Sequence, residues 1–143
     1  MPDRSFHLRE FFHLSLLRYL SLRLSGRSYA VKGGICLRFF HRSPRLSEDM
    51  DLDILSQVRA ETLENAVDSV LQSKPFLAAL TSQGIVSLEI RKPKQTETTQ
   101  RWKAALVLPN KSSLPTKIEF SRRPLKITYS TGLPDAGLLN QYK

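Results

Sequence analysis

"KGGICLRFFHRSPRLSEDMDLDI", residues 32–54, is the stretch that decides the fold. It opens on a diglycine, Gly33-Gly34, passes through a short apolar segment from Ile35 to His41 and a basic loop marked by Pro44 and Ser47, and closes on Glu48, Asp49, Asp51 and Asp53. Within that close, Met50, Leu52 and Ile54 alternate with Asp49, Asp51 and Asp53. A period of two is the signature of a strand with one apolar and one acidic face, so the three aspartates project from the same side. Such a row repels itself, and burial beside apolar neighbours raises carboxylate pKa values unless a cation is at hand. The chain carries 22 Lys and Arg against 13 acids, a net charge of +9, yet gathers four of those acids here.

A divalent cation is the economical remedy. Mg²⁺ (or Mn²⁺) takes hard oxygen ligands, commonly one or two carboxylates completed by substrate phosphates and water, so an Asp-x-Asp at a strand edge suits phosphoryl chemistry. The diglycine supplies the complementary half. Without Cβ atoms, Gly33 and Gly34 let the backbone approach phosphates, and their N–H groups stand at the start of the Ile35 segment, read as a helix whose dipole favours anions. Either motif alone is also compatible with an ordinary tight turn or a solvated edge strand.

Outward from this stretch, residues 6–25 show near-helical apolar spacing through Leu8, Phe11, Phe12, Leu16, Tyr19 and Leu20. The Arg-rich, acid-poor polar face fits either a helix packed into the domain or a basic membrane-surface or transit helix. Tyr29–Lys32 reads as a short strand, and 29–55 as the glycine-turn and Asp-x-Asp core. A helix is expected over 57–83, capped by Ser56, with Leu63, Ala66, Val67, Val70 and Leu71 as its buried stripe and Lys74-Pro75 interrupting it. From 85 to 130 the period changes to two, giving four strands at 85–91, 101–108, 116–121 and 125–129, joined by polar linkers "KPKQTETTQ" and "PNKSSLP". An incomplete helix begins at about residue 134. This order predicts a single α/β (α+β) domain over 1–143, with a mixed sheet covered by helices on one face.

Composition narrows the function classes. Hydrophobic content of 41% supports a folded core, and the basic excess favours a polyanionic partner such as nucleic acid, nucleotide phosphate or an anionic surface. A single cysteine, Cys36, leaves no intramolecular disulfide and no thiolate cage and points to a reducing, cytoplasmic setting. His7, His13 and His41 show no metal-ligand spacing and read as ordinary residues. Arg9, Arg18 and Arg23 break the apolar stretch near the start, so no transmembrane segment is expected.

Taken together, the apolar strand, Lys32-Gly33-Gly34, the short helix, the "SPRLSED" loop and Asp49-Met50-Asp51-Leu52 resemble the nucleotidyltransferase signature of the DNA polymerase β superfamily. More closely, "YAVKGGICLRFFHRSPRLSEDMDLDI" is similar to the diagnostic segment of the AbiEii/AbiGii family of bacterial toxin nucleotidyltransferases. In that family a Lys-Gly-Gly-Thr turn, a Leu-Arg pair, an Arg-x-Ser-x-Asp run and an Asp-x-Asp strand occur at this spacing. The resemblance spans roughly residues 6–143 and is strongest over 29–54.

It implies a nucleotidyltransferase-like mixed sheet and a Mg²⁺-dependent transfer of a nucleoside monophosphate from an NTP to an acceptor, RNA or tRNA, with an antitoxin partner encoded nearby. It further implies Asp49 and Asp51 as metal ligands, and Lys32, Gly33, Gly34, Arg45 and Ser47 as nucleotide-binding residues; Arg38 matches a family position and is equally consistent with a structural role. Superfamily members add a third carboxylate from a later strand. Glu119, in "TKIEFSRRP", is the first choice for that catalytic, metal-binding acid, and Glu89, between Leu88 and Ile90, is the second. Asp53 is an extra acid supporting the pair.

Two departures from the family pattern stand out. Ile35 occupies a position where the family usually has a hydroxyl residue. The chain also stops at "LLNQYK", before the family's Lys-Leu-x-Ala and Arg-Asp-x-x-Asp type motifs, so it is expected to be truncated at the C-terminus. A catalytically incomplete, basic RNA- or partner-binding remnant is the alternative reading.

Overall fold

Residues that alternate along a strand end up on opposite faces of a sheet, and in this molecule that alternation separates a helix-covered face from an open one. The structure, a computed structural model, describes residues 4–32 and 48–123. Helix α1 (Arg4–Leu20) leads to strand β1 (Tyr29–Lys32) and, after residues 33–47, to β2 (Met50–Leu55). Helices α2 (Ala60–Leu71) and α3 (Lys74–Ser82) follow, then β3 (Ser87–Gln95), β4 (Thr99–Val107) and β5 (Ser113–Arg123). The strands form one sheet in the order β1-β2-β5-β4-β3. Only β2 and β5 run parallel; the other neighbours are antiparallel, so the sheet is mixed as expected.

Met50, Leu52 and Ile54 of β2, Ile118 and Phe120 of β5, and Trp102, Ala104 and Leu106 of β4 all point to the covered face and are buried. Helix α2 meets them with the expected stripe of Leu63, Ala66, Val67, Val70 and Leu71. Trp102 packs edge-on against Phe120 at 5.9 Å, and its indole N–H donates to Asp68 of α2 at 2.9 Å. Of the two readings of the first helix, the structure shows the packed one. Leu8 to Leu16 are buried continuously, with Phe12 against Phe76 of α3. No helix among the described residues is long and apolar enough to cross a membrane.

Several boundaries differ from those the sequence predicts. α1 ends at Leu20, with turns through Leu24, rather than at residue 25. Ser56 does not cap the following helix: Arg59 occupies the N-cap position without a side-chain cap bond, and the uncapped start is held instead by packing. Lys74-Pro75 marks a fresh start rather than an interruption, because the Ser73 hydroxyl accepts from the Phe76 amide and Pro75 sits in the first turn, where its missing N–H is harmless. "KPKQTETTQ" is largely strand: β3 continues past Pro93 through a bulge between Arg91 and Lys94, which an edge strand tolerates. Likewise Ser113, Leu114 and Pro115 already belong to β5. The expected helix at 35–41, the strand at 125–129, the terminal helix, Cys36, Arg38 and His41 lie outside the described residues.

Candidate functional site

The open face begins at the β2–β5 pair. Their parallel register sets Asp51 opposite Glu119, with Met50 opposite Ile118 and Asp53 opposite Ser121. β1 then puts Lys32 opposite Asp51, and β4 puts Arg101 opposite Glu119. One row across four strands therefore reads Lys32, Asp51, Glu119, Arg101.

Each acid beside Asp51 is anchored. Asp53, almost fully buried, forms an ion pair with Lys32 at 2.8 Å. The Glu119 carboxylate accepts from the Arg101 Nε–H at 2.7 Å. The Asp49 carboxylate accepts the backbone N–H of Lys117 at 3.0 Å. Asp51 is different: among the described residues no hydrogen bond or ion pair reaches its carboxylate. Burial is the largest influence on it and raises its pKa above the ordinary carboxylate range. Lys117 pulls the pKa down, Glu119 pushes it up, Lys32 pulls it down and Asp49 pushes it up. The centre of the row is a half-buried carboxylate set between the Lys32 and Glu119 positions of the neighbouring strands.

A buried relay from the covered side holds the start of β2 in place. The Thr116 hydroxyl donates to the Glu48 carbonyl at 2.6 Å, so it accepts from His13 Nε2–H, 2.7 Å away. Arg9 donates to the Pro115 carbonyl at 2.8 Å. Burial, reinforced by the Arg9 charge, depresses the His13 pKa from 6.5 to about 3, which keeps the ring neutral. Its Nδ1 is buried with no hydrogen-bond partner among the described residues. His13 is thus a structural pin one residue from Asp49.

Of the residues the sequence singles out, the fold gathers Lys32, Asp49, Asp51, Asp53 and Glu119 on one face. Glu89 faces the same way but pairs with Ala105 on the far side of β4, at a different level. It borders a depression of about 530 Å³ together with Glu48, Asp49, Arg91, Lys103 and Lys117. Gly33, Gly34, Arg45 and Ser47 lie outside the described residues. Lys32, next in sequence before Gly33, pairs in register with Asp51. Arg101 and Lys117 were not singled out from sequence; their only signal was a cation at the outward position of an alternating strand.

Among the described residues no group of three His, Cys, Asp or Glu side chains is close enough to cage a metal by itself. Mg²⁺ needs less than that, since substrate phosphates and waters complete its shell. A half-buried Asp51 with no hydrogen-bond or ion-pair partner among the described residues, and with Asp49 and Glu119 as neighbours, has the hard-oxygen chemistry such an ion requires.

The sequence model of the family described as "Nucleotidyl transferase AbiEii toxin, Type IV TA system" matches residues 15–135. The chain belongs to the AbiEii nucleotidyltransferase toxin family. Similar solved structures agree with the fold. MenT4, a nucleotidyltransferase toxin from Mycobacterium tuberculosis H37Rv, superimposes with a TM-score of 0.62 at 16% identity, over 96% of this chain and 45% of that one. A protein described as a putative nucleotidyltransferase, from H. pylori, and JHP933 from Helicobacter pylori each give a TM-score of 0.51 at 18% identity, over 94% of this chain and 54% and 52% of theirs. The AbiEii chain therefore spans about half the length of these solved relatives. No curated protein sequence matches it.

Proposed function

We propose that the open face of this AbiEii sheet is a nucleotidyltransfer site that moves a nucleoside monophosphate from an NTP to a hydroxyl of an RNA acceptor, such as a tRNA 3′ end. The observation that carries this reading is the isolated, half-buried Asp51 carboxylate, set opposite Glu119 with Asp49 two residues before it on the same face. Titratable groups whose pKa is perturbed by burial and specific charged neighbours cluster at functional sites.

In the proposed reaction the acceptor hydroxyl oxygen bonds to the α-phosphorus, the bond from that phosphorus to the β-phosphate oxygen breaks, and pyrophosphate leaves. The hydroxyl proton passes to solvent or to the carboxylate row. Asp51 and Asp49 would hold Mg²⁺ (or Mn²⁺), with Glu119 as the third acid; such an ion, when bound, offsets phosphate charge and acidifies the attacking hydroxyl. Lys117 fixes the Asp49 carboxylate through its amide, and Lys32 fixes Asp53. Arg101 holds Glu119 in a defined orientation, so the acids are positioned before substrate arrives. Gly33, Gly34, Arg45 and Ser47 would contact the triphosphate, a role that rests on the sequence motif. A bacterial cytoplasmic setting and an antitoxin partner belong to the same proposal.

Isothermal titration of each NTP in the presence of Mg²⁺ tests it. The parent chain should bind at least one NTP, and Asp51→Asn should abolish that binding with the fold retained by circular dichroism. Equal binding by the folded variant would remove Asp51 from the site. A chain that binds RNA but no Mg-NTP would instead be a non-catalytic binding module on the same fold.

A further inference from the structure

One level along the strands from the carboxylate row, β3, β4 and β5 carry a different set of charges. Arg91 pairs in register with Lys103, and Lys103 with Lys117, all at outward positions of the open face. Neighbouring strands lie about 4.8 Å apart, so the three cations span about 10 Å in a straight line. Like charges directly opposite one another destabilise a sheet. Here none of the three side chains forms an ion pair with another described residue. By contrast, Lys92, on the other face of β3, is locked between Glu64 and Asp68. The row borders the 530 Å³ depression and ends at Asp49, whose carboxylate accepts the Lys117 amide. Uncompensated cations, a concavity and a direct lead into the acidic row coincide.

We propose that Arg91, Lys103 and Lys117 form a docking row for the sugar-phosphate backbone of single-stranded RNA, leading the acceptor strand toward Asp49. The proposal rests on the nucleotidyltransfer reading for its choice of RNA among polyanions. Glu48, Asp49 and Glu89 border the same depression and repel a broad acidic protein surface, whereas a single phosphodiester strand is narrow enough to follow the line of Arg91, Lys103 and Lys117. No aromatic ring lines the depression among the described residues, so bases gain no stacking platform. Binding is therefore backbone-directed and indifferent to base.

Fluorescence anisotropy with short labelled oligouridylate and oligoadenylate measures it. Both should bind the parent alike, with affinity falling as salt rises. Arg91→Ala combined with Lys103→Ala should weaken binding by at least about tenfold and lower the slope of log affinity against log salt by about 1.4, at roughly 0.7 per lost phosphate contact. Lys74→Ala, on α3 behind the covered face, should change neither. The double variant removes facing like charges, so its melting temperature should hold or rise, which separates lost binding from lost folding.

The inference is overturned if the parent binds neither oligonucleotide, if the folded double variant keeps the parent's affinity and slope, or if polyglutamate competes as well as RNA at equal charge. Mg-NTP titration of the same samples keeps the two proposals apart. A double variant that loses RNA while the parent binds no nucleotide upholds the row and sinks the transfer reading. One that retains RNA while Asp51→Asn loses NTP does the reverse.

Discussion

The two faces of the sheet are built from the same strands, one residue out of phase, and they obey opposite rules. On the covered face Met50, Leu52, Ile54, Trp102, Ile118 and Phe120 are almost wholly removed from water, and polar groups there are satisfied or kept neutral: the Trp102 indole finds Asp68, and His13 is held uncharged. On the open face, burial raises the pKa of Asp51, and a row of three cations lacks ion-pair partners among the described residues. The first arrangement lowers free energy by itself. The second does not, which separates residues that hold the fold together from residues that do not.

The contrast predicts where substitutions damage stability and where they damage only binding. The largest expected effect is on the covered face. Trp102→Ala leaves a cavity against Phe120 and strands the Asp68 carboxylate without its indole donor, so it should destabilise the domain by about 3–5 kcal/mol, read as a lowered urea midpoint. Asp51→Asn, across the sheet, should show no such loss. Comparable destabilisation by both would mean that the open face is as structural as the covered one.

A smaller effect comes from pH. The His13 pKa lies at about 3 in the folded chain against 6.5 ordinarily, so between those values the unfolded chain takes up a proton that the buried ring refuses. Stability supplied by the neutral ring is complete above pH 6.5 and falls as pH drops toward 3, by up to about 1.4 kcal/mol per pH unit from this residue. Unfolding midpoints from neutral to mildly acidic pH should decline more steeply in the parent than in His13→Gln, which keeps an amide donor for Thr116 but does not titrate. Identical slopes would show that the relay tolerates a charged ring.

Most of the covered face was legible in the sequence, because burial follows periodicity: the alternation from Met50 to Ile54 and the Leu63 to Leu71 stripe each define one side of an element without reference to anything distant. The acidic side of β2 was legible for the same reason. What the chain could not reveal locally was register. Glu89 and Glu119 sit in near-identical apolar frames, and only the parallel pairing of β2 with β5, made across the whole α2–β4 excursion, sets Glu119 opposite Asp51 and leaves Glu89 on the far side of β4. The alignment of Arg91, Lys103 and Lys117 is hidden in the same way. Ser56 failed as a cap because a preference worth about 1 kcal/mol is easily overridden by packing.

The smallest expected effect is also the sharpest, because it sets two aspartates of one strand face against each other. Asp53 forms an ion pair with Lys32, so Asp53→Asn should lower stability at neutral pH by less than about 1 kcal/mol. Asp51 has its pKa raised by burial and by its acidic neighbours, which means its ionisation is less favourable folded than unfolded. Its contribution is fully present at acid pH and is lost as pH rises through the carboxylate range, so at neutral pH Asp51→Asn should raise the melting temperature slightly. Replacing Asp51 by Asn is equivalent to protonating it permanently, so its difference from the parent should shrink as the parent is acidified. Opposite signs at neutral pH are expected where burial disfavours the Asp51 charge while Lys32 holds that of Asp53; a loss of stability in both variants would mean that Asp51 is held by an attractive partner, as Asp53 is.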